Sequence, residues 1–552
     1  MSDEPKKSQI DSFGISMGKT PRHTDAPAQP AAAPRSKTVP WHVLVCSDLG
    51  YRSKTPDRVL AAEWKDFFAS RHAVVAGAVA LPGAEKPVWI EYPVFDINDF
   101  SQESFERKIP ALTATAGVRD ALSGVLKGTL TTDEACAVLD GITGAETGAF
   151  IEEARGLLRP APAGRKPSPQ KARRVDSILS ALDLGDAAEK TAEPASGATQ
   201  ALFDAAGAGA APVAKEAVAP LLASVETRLR VLTDTLVKQP FFRERKTAWF
   251  CLMDLARALG RSSDVRLSVY SGDAETCADN FGGMLDACAE NDVSPDVVLW
   301  DFPVAITQAG IDRLAEVARR CERHKAMTIA PLAGHDPLNA AAVNAEGFAE
   351  AWADQRLIPL KRFRKEPEAR CAALCLPPVR YSTRDGSGGE AGGAWLAVRT
   401  FVSMLLGGRP FEDTARTDRE STFYGQPAVK APREVAQEAG TVGLTVLPAD
   451  TPDIGIRTLI DGETADACYT WFDYNLLINR VSRLSARMIA DGGGAQTPDG
   501  LRQFLLSQLE PYRILTSTDN LGVSQDAEGR LRITIDSDMQ VGGSALHLEI
   551  GF

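Results

Sequence analysis

The chain has 552 residues, 44% of them hydrophobic and 24% charged, with a net charge of −12. That length suits about three or four domains and a sizeable core, and the acidic balance argues against nucleic acid as a main partner. It holds no run of about 18 apolar residues, so no membrane insertion is expected. Met1 to Lys19 lacks the apolar core of a secretory signal, and nine cysteines, mostly in apolar runs, read as buried thiols of a reducing cytoplasm.

Residues 1–37 are polar and rich in Pro and Ala, as in a flexible tether. Within them Phe13, Ile15 and Met17 alternate as in a half-buried strand over Ile10 to Met17. Such a strand cannot satisfy its backbone alone, so it is either unstructured or paired with a sheet elsewhere. Residues 38–158 predict strands over Trp41 to Asp48, Ala73 to Leu81 and Val88 to Ile97. A helical stretch starts at Ser104 to Ile109, and residues 114–158 are helical in pattern with a cap at Thr132-Asp133. Residues 159–215 read as a linker, basic and Pro-containing at first, Ala- and Gly-rich at its end. Between these parts lies a short amphipathic helix candidate, Val175 to Leu184, with Ile178, Leu179, Leu182 and Leu184 apolar.

Residues 216–430 open with helices at 216–237 and 241–259. Strands at 264–270, 296–302, 326–332 and 371–377 then alternate with helices at 274–290, 308–324 and 337–354. This alternation predicts α/β architecture with an at least partly parallel sheet. A helix over Trp395 to Leu406 precedes a loop-rich stretch. Residues 431–552 predict short strands at 442–447 and 455–460, then helices at 466–490 and 498–509. Two alternating runs end the chain, one carrying Ile533 and Ile535, the other Leu546, Leu548 and Ile550. A terminal strand pair of this kind needs a sheet to bury its apolar face.

The residues offer little chemistry. Gly14 to Thr20 places three residues between its glycines where a phosphate-binding loop needs four. The six histidines are scattered, and Cys371 and Cys375, four apart in a predicted strand, lack a second ligand pair. The Gly-rich runs stand at no helix N-terminus suited to a dinucleotide. No catalytic, cofactor-binding or metal residue is assigned, and no cofactor is expected. The basic run Lys361 to Lys365 reads equally as a solvated face or as a site for an acidic partner surface.

The order of segments resembles the small and large sheath subunits of type VI secretion systems, read in sequence. Trp41 to Leu49 with Asp48, then Phe95-Asp96-Ile97-Asn98-Asp99-Phe100 and Ile109-Pro110-Ala111-Leu112, are similar to the small subunit's first strand and its Asp-x-x-Asn-Phe and Pro-x-Leu segments. The tail strand matches that family's short strand ahead of the core. Pro240-Phe241-Phe242 through Trp249, Asp301-Phe302, Ile329 to Leu332, Phe363-Arg364, Leu374 to Pro377, Trp395, Arg433-Glu434-Val435, Gly443-Leu444 and Trp471 to Arg483 resemble successive large-subunit segments. The likeness spans most of 8–18, 38–112 and 230–552. Phe250-Cys251 and Pro378 depart from the family's Arg-Gly and Arg.

The resemblance implies a cytoplasmic, non-enzymatic subunit with a sheath-type α/β core, helical segments and terminal strands exchanged between protomers. Phe13, Ile15, Met17, Ile533, Ile535, Leu546, Leu548 and Ile550 would line the inter-protomer strands. The implied partners are further copies in a helical sheath, an inner tube protein and a baseplate. An AAA+ unfoldase is implied as well, bound at the position of Val175, Ile178, Leu179 and Leu182. The sheath of an extracellular contractile injection system or a phage-like tail is the alternative within this class; a nucleotide-binding α/β enzyme is the alternative outside it.

Overall fold

The computed structural model describes residues 38–552 apart from 83–85, 143–147, 159–214, 261, 292, 383–387, 407–425, 428–430, 448–454, 464, 466, 491–496, 513, 516, 528–529, 542–543 and 552. The tail strand with Phe13, Ile15 and Met17, and the helix candidate with Val175, Ile178, Leu179 and Leu182, lie outside the described residues. No helix among those described is long and apolar enough to cross a membrane.

The chain enters through β1 (Trp41–Ser47), whose seven residues are all buried, as expected of a run apolar on both faces. A loop leads through the short β2 (Asp57–Val59) and α1 (Trp64–Ser70) to an antiparallel pair, β3 (Ala73–Val79) and β4 (Val88–Val94). Gly50, at φ +82, makes that passage possible, because a Cβ there would sit 2.5 Å from the Val74 carbonyl oxygen. Helices α2 (Gln102–Lys108), α3 (Pro110–Lys127), α4 (Thr132–Gly141) and α5 (Gly148–Leu158) follow. The stretch expected to run helically over 114–158 is thus interrupted. Gly128 closes α3 in the left-handed conformation, and Thr131, rather than Thr132, caps α4 in a reciprocal box with Glu134.

Two long helices come next, α6 (Lys215–Val237) and α7 (Pro240–Leu259), and then the strand–helix series. It runs β5 (Val265–Ser271), α8 (Ala274–Glu290), β6 (Val297–Trp300), α9 (Gln308–Arg323) and β7 (Met327–Pro331). Helices α10 (Pro337–Ala341), α11 (Ala345–Ala353) and α12 (Ile358–Phe363) lead to β8 (Ala372–Leu376). The single helix expected at 337–354 is broken because the Asn344 side chain accepts from the Gly347 N–H and starts a new helix. Cys371 ends a short 3₁₀ turn, so it does not share a strand with Cys375.

A small sheet of β9 (Val379–Ser382), β10 (Gly388–Ala391) and β11 (Gln426–Pro427) flanks α13 (Gly393–Leu406). After α14 (Arg433–Thr441) and β12 (Leu444–Val446), residues 455–460 form no strand, making only a bridge between Arg457 and Trp471. A 3₁₀ turn at Ala467–Thr470 replaces the expected start of the next helix, α15 (Phe472–Ala490). The chain closes with α16 (Pro498–Leu509), β13 (Leu521–Gln525), β14 (Leu531–Val541) and β15 (Ser544–Gly551).

The architecture is α/β. Its main sheet has the order β12-β8-β7-β6-β1-β5-β2, parallel except for β2 at one edge. β5, β6, β7, β8 and β12 are laid down in chain order, and β1 is inserted between β5 and β6. Trp41 to Ser47 lie in register with Val265 to Ser271 on one side, and Val43 to Cys46 with Val297 to Trp300 on the other. Regions 38–158 and 216–430 therefore share one sheet. Alternation assigns its faces: Cys46 and Trp300 point toward α8, where Phe281 meets Trp300, while Trp41 points toward Phe401 of α13. Helix α7 joins β4 and α2 to this body: Phe242 packs on Tyr92 and Phe105, and Trp249, fully buried, packs on Phe68 and donates to the Leu49 carbonyl at 2.9 Å. A second, smaller core gathers the far halves of α3 and α6 with α4 and α5.

Candidate functional site

Three places on the body have the geometry to act. The first is the C-terminal end of the central strands, where α/β sheets commonly hold their ligands. Asp301, directly after β6, accepts from the Ser47 hydroxyl at 2.7 Å and from the Trp395 indole N–H at 2.5 Å. Burial pushes its carboxyl up to about 7, against the two hydrogen bonds that pull it down, and the nearby Glu244 adds to the rise. Beside it Asp48 is ion-paired with Arg245 at 2.9 Å. A carboxyl titrating near neutrality can move a proton. The neighbouring hydroxyl donates to that carboxyl without a histidine base, and the Cys251 thiol is pushed well up by burial, away from its nucleophilic thiolate form. Among the described residues no group of three His, Cys, Asp or Glu could hold a metal.

The second place is the opposite end of the sheet, where α15 lies across the starts of four strands. Arg480, fully buried, pairs with Asp296 ahead of β6 at 3.0 Å, donates to the Val39 carbonyl ahead of β1 at 2.6 Å, and stacks over Trp41 at 3.9 Å. Arg483 binds Asp296 as well, and the Pro295 and Lys325 carbonyls at 2.8 and 3.2 Å. Asn479 reaches Met327 Sδ in β7 and Cys371 Sγ just ahead of β8. Burial pushes the Asp296 carboxyl up, but the two guanidinium groups win and hold it below the usual range. His42 is lowered to about 4 by burial and stays neutral at ordinary pH. This is a clamp: every charge in it is spent on the protein itself.

The third place is the C-terminal sheet, β13-β14-β15. Ile533 pairs with Ile550 and Ile535 with Leu548, and all four are buried together with Leu546 and Leu521. They pack in the main core, with α15 against β15 and α16 against β13. Five of the candidate exchange residues are thus brought to one face, and that face is covered by the chain's own helices. The outer face carries exposed cross-strand pairs, Arg532 with Glu549 and Asp536 with His547. What the body leaves open is the backbone: among the described residues, β13 and β15 pair with β14 alone. Each offers a row of donors and acceptors to an added strand. Sequence reasoning missed β13, whose Gly522 and single pair of apolar residues give a weak period of two, and the extension of β14 through the irregularity at Ser537/Gln540. It also passed over Asp296, whose partners lie 184 and 187 residues away.

No protein-family model matches this chain, and no curated protein does. Among solved structures it is similar to the sheath complex of the extracellular contractile injection system PVC in its contracted state. That match has 10% identity and a TM-score of 0.32 over 54% of this chain and 75% of the other. It is also similar to a chain of the anti-feeding prophage baseplate, with 11% identity and a TM-score of 0.34 over 55% and 76%.

Proposed function

We propose that this chain is the repeating structural subunit of a contractile sheath of the type VI secretion kind, with small- and large-subunit halves joined in one polypeptide. The observation that carries this reading is the C-terminal sheet, covered on its inner face by its own protomer and, among the described residues, open at both edges. A tail with its own alternating strand segment precedes the body, and strand addition between the two ends would link copies into a mesh. Because donor and acceptor are different surfaces, such links need not close, and an open helical polymer results. The insertion of β1 between β5 and β6 supports the fused reading, since the first region completes the sheet of the second.

In this reading the polymer is assembled extended around an inner tube on a baseplate, in the cytoplasm. The tethered strands stay joined while the α/β bodies rotate and slide, and the shortening drives the tube through a membrane. Each protomer need supply only about a few kcal/mol, because many act together. An AAA+ unfoldase acting at Val175 to Leu182 would recycle the contracted form.

The test is negative-stain microscopy of the purified chain and of a variant lacking residues 1–20. Striated tubules from the intact chain and none from the shortened one are expected, with the thermal midpoint unchanged. Intact tubules from the shortened chain would remove strand exchange as the link. A second reading, a nucleotide-binding α/β enzyme, draws on the near-neutral carboxyl of Asp301. Asp301 and Asp48 place two carboxyl groups where a phosphate would have to sit, and Arg245 beside them is already paired with Asp48, so calorimetric titration with nucleotides is expected to give no heat.

A further inference from the structure

We infer that the outer face of α12 is a docking surface for the acidic helical lobe of a second copy of this chain. This rests on the reading of the chain as a self-assembling subunit and names the two faces that meet.

In a chain of net charge −12, residues 356–365 hold five Lys and Arg and no carboxylate. The fold uses two of the five. Arg364 is buried, donating to the Leu459 carbonyl at 3.2 Å and pairing with Asp461 at 3.6 Å, and Arg356 is tied to Asp354 at 2.7 Å. Lys361 lies over the Trp352 ring at 5.3 Å, and its charge also acts on Asp354. Arg362 and Lys365 are exposed, and neither has a partner among the described residues. Beside them Ile358 is 42% exposed. Ile358 and Arg362 stand one turn apart on α12, and Lys365 follows in the turn that ends it. That face presents an aliphatic side chain among cations.

The opposite chemistry lies on the small helical lobe. Residues 128–154 hold six carboxylates and no Lys or Arg. Arg155 alone answers two of them, Asp140 at 2.7 Å and Glu152 at 2.5 Å. Asp133 and Glu153 have no ion-pair partner among the described residues. Val138, one turn after Glu134 on α4, is 43% exposed. Each side therefore carries one exposed aliphatic residue among charges mostly of one sign, Glu366 beside Lys365 and Arg155 beside Glu152 being the exceptions. Either face repels its own kind, which disfavours a symmetric dimer and favours the unlike pairing. Two different patches in contact form a heterologous interface, the kind that propagates.

The experiment uses the full chain and sedimentation velocity. The Arg362→Glu/Lys365→Glu variant and the Asp133→Lys/Glu153→Lys variant are each expected to keep the wild-type thermal midpoint. Each should need about tenfold or more protein to assemble. Combining all four substitutions restores complementarity with the signs exchanged, and assembly is expected to return. An equimolar mixture of the two double variants, one acidic on both faces and the other basic on both, is expected to co-assemble in alternation and to dissociate in roughly 0.5 M salt. Assembly of either double variant at the wild-type concentration overturns the proposal, as does a mixture that stays monomeric. Wild-type oligomers that never become striated tubules would sink the sheath reading and leave this pairing standing, whereas a wild-type chain that stays monomeric at every concentration overturns both.

Discussion

The main sheet and the C-terminal sheet solve the edge problem in opposite ways. In the main sheet, β1, β6, β7 and β8 are buried along their whole length, and the Arg480–Asp296–Arg483 clamp ties down the starts of the strands. One edge ends in the short antiparallel β2, which blunts it. In the C-terminal sheet only one face is buried, the other carries exposed ion pairs, and the outer strands β13 and β15 have five and eight residues. The first sheet is finished within the protomer. The second is finished on its inner face and, among the described residues, unpaired along its outer edges, which is where a polymer could be joined without disturbing the core.

This contrast can be broken at its strongest point by cutting the chain. Because β1 is hydrogen-bonded on both sides within the main sheet, residues 216–552 expressed alone lack a central strand and are expected to be insoluble. Co-expression with residues 1–158 as a separate chain is expected to recover a stoichiometric, soluble complex, read by size exclusion. A folded 216–552 fragment would show that β1 is dispensable. A smaller but still large effect is expected at the clamp. Asp296→Ala leaves the buried guanidinium of Arg480 without its counter-charge, which costs about 3–5 kcal/mol, measured as a fall in the urea midpoint at constant slope. A change under about 1 kcal/mol would mean that water replaces the carboxylate.

Much of the α/β series was legible because its signals are local. The Asp273 side chain caps α8, and the helix runs over the 274–290 its apolar spacing indicates. The alternation of Ile533, Ile535, Leu546, Leu548 and Ile550 placed them on one strand face. What escaped was either short or remote. β2 has three residues, too few for a period to register. The insertion of β1 between strands more than 200 residues further on has no local trace, and neither does the meeting of Ser47, Asp301 and Trp395. Which side of the C-terminal strands is covered was also illegible, because period two reveals an apolar face without saying whose helices cover it.

Asp301 gives a pH handle on the main sheet. Its carboxyl loses a proton near the usual value in the unfolded chain but only at about 7 in the folded one. Between about pH 4 and pH 7 the unfolded state therefore holds fewer protons, and stability falls as pH rises, levelling above about 7. Asp301→Asn removes this titration; its Oδ1 can accept from the Trp395 indole N–H while its amide NH2 donates to the Ser47 hydroxyl oxygen, which reverses that bond. At pH 8 it is expected to be more stable than wild type by roughly 1–3 kcal/mol, discounted for the part of the side chain open to solvent. At pH 4 the two proteins should unfold alike. A variant equally destabilised at both pH values would show that the hydrogen-bond geometry, and not the proton, governs this position.

The least effect is expected on the wet face of the C-terminal sheet. Arg532 and Glu549 are paired at 3.1 Å with half or more of each side chain exposed, and such pairs contribute about 0–1 kcal/mol. Arg532→Ala should therefore leave the unfolding midpoint of the protomer nearly unchanged. Assembly is a sharper probe of the same residue. Its side chain stands on the outer face, while any added strand would bond to the backbone edge of β13 or β15. Arg532→Ala is thus expected to leave tubule formation intact. Loss of tubules with an unchanged midpoint would move the joint between copies from the edges of this sheet onto its outer face.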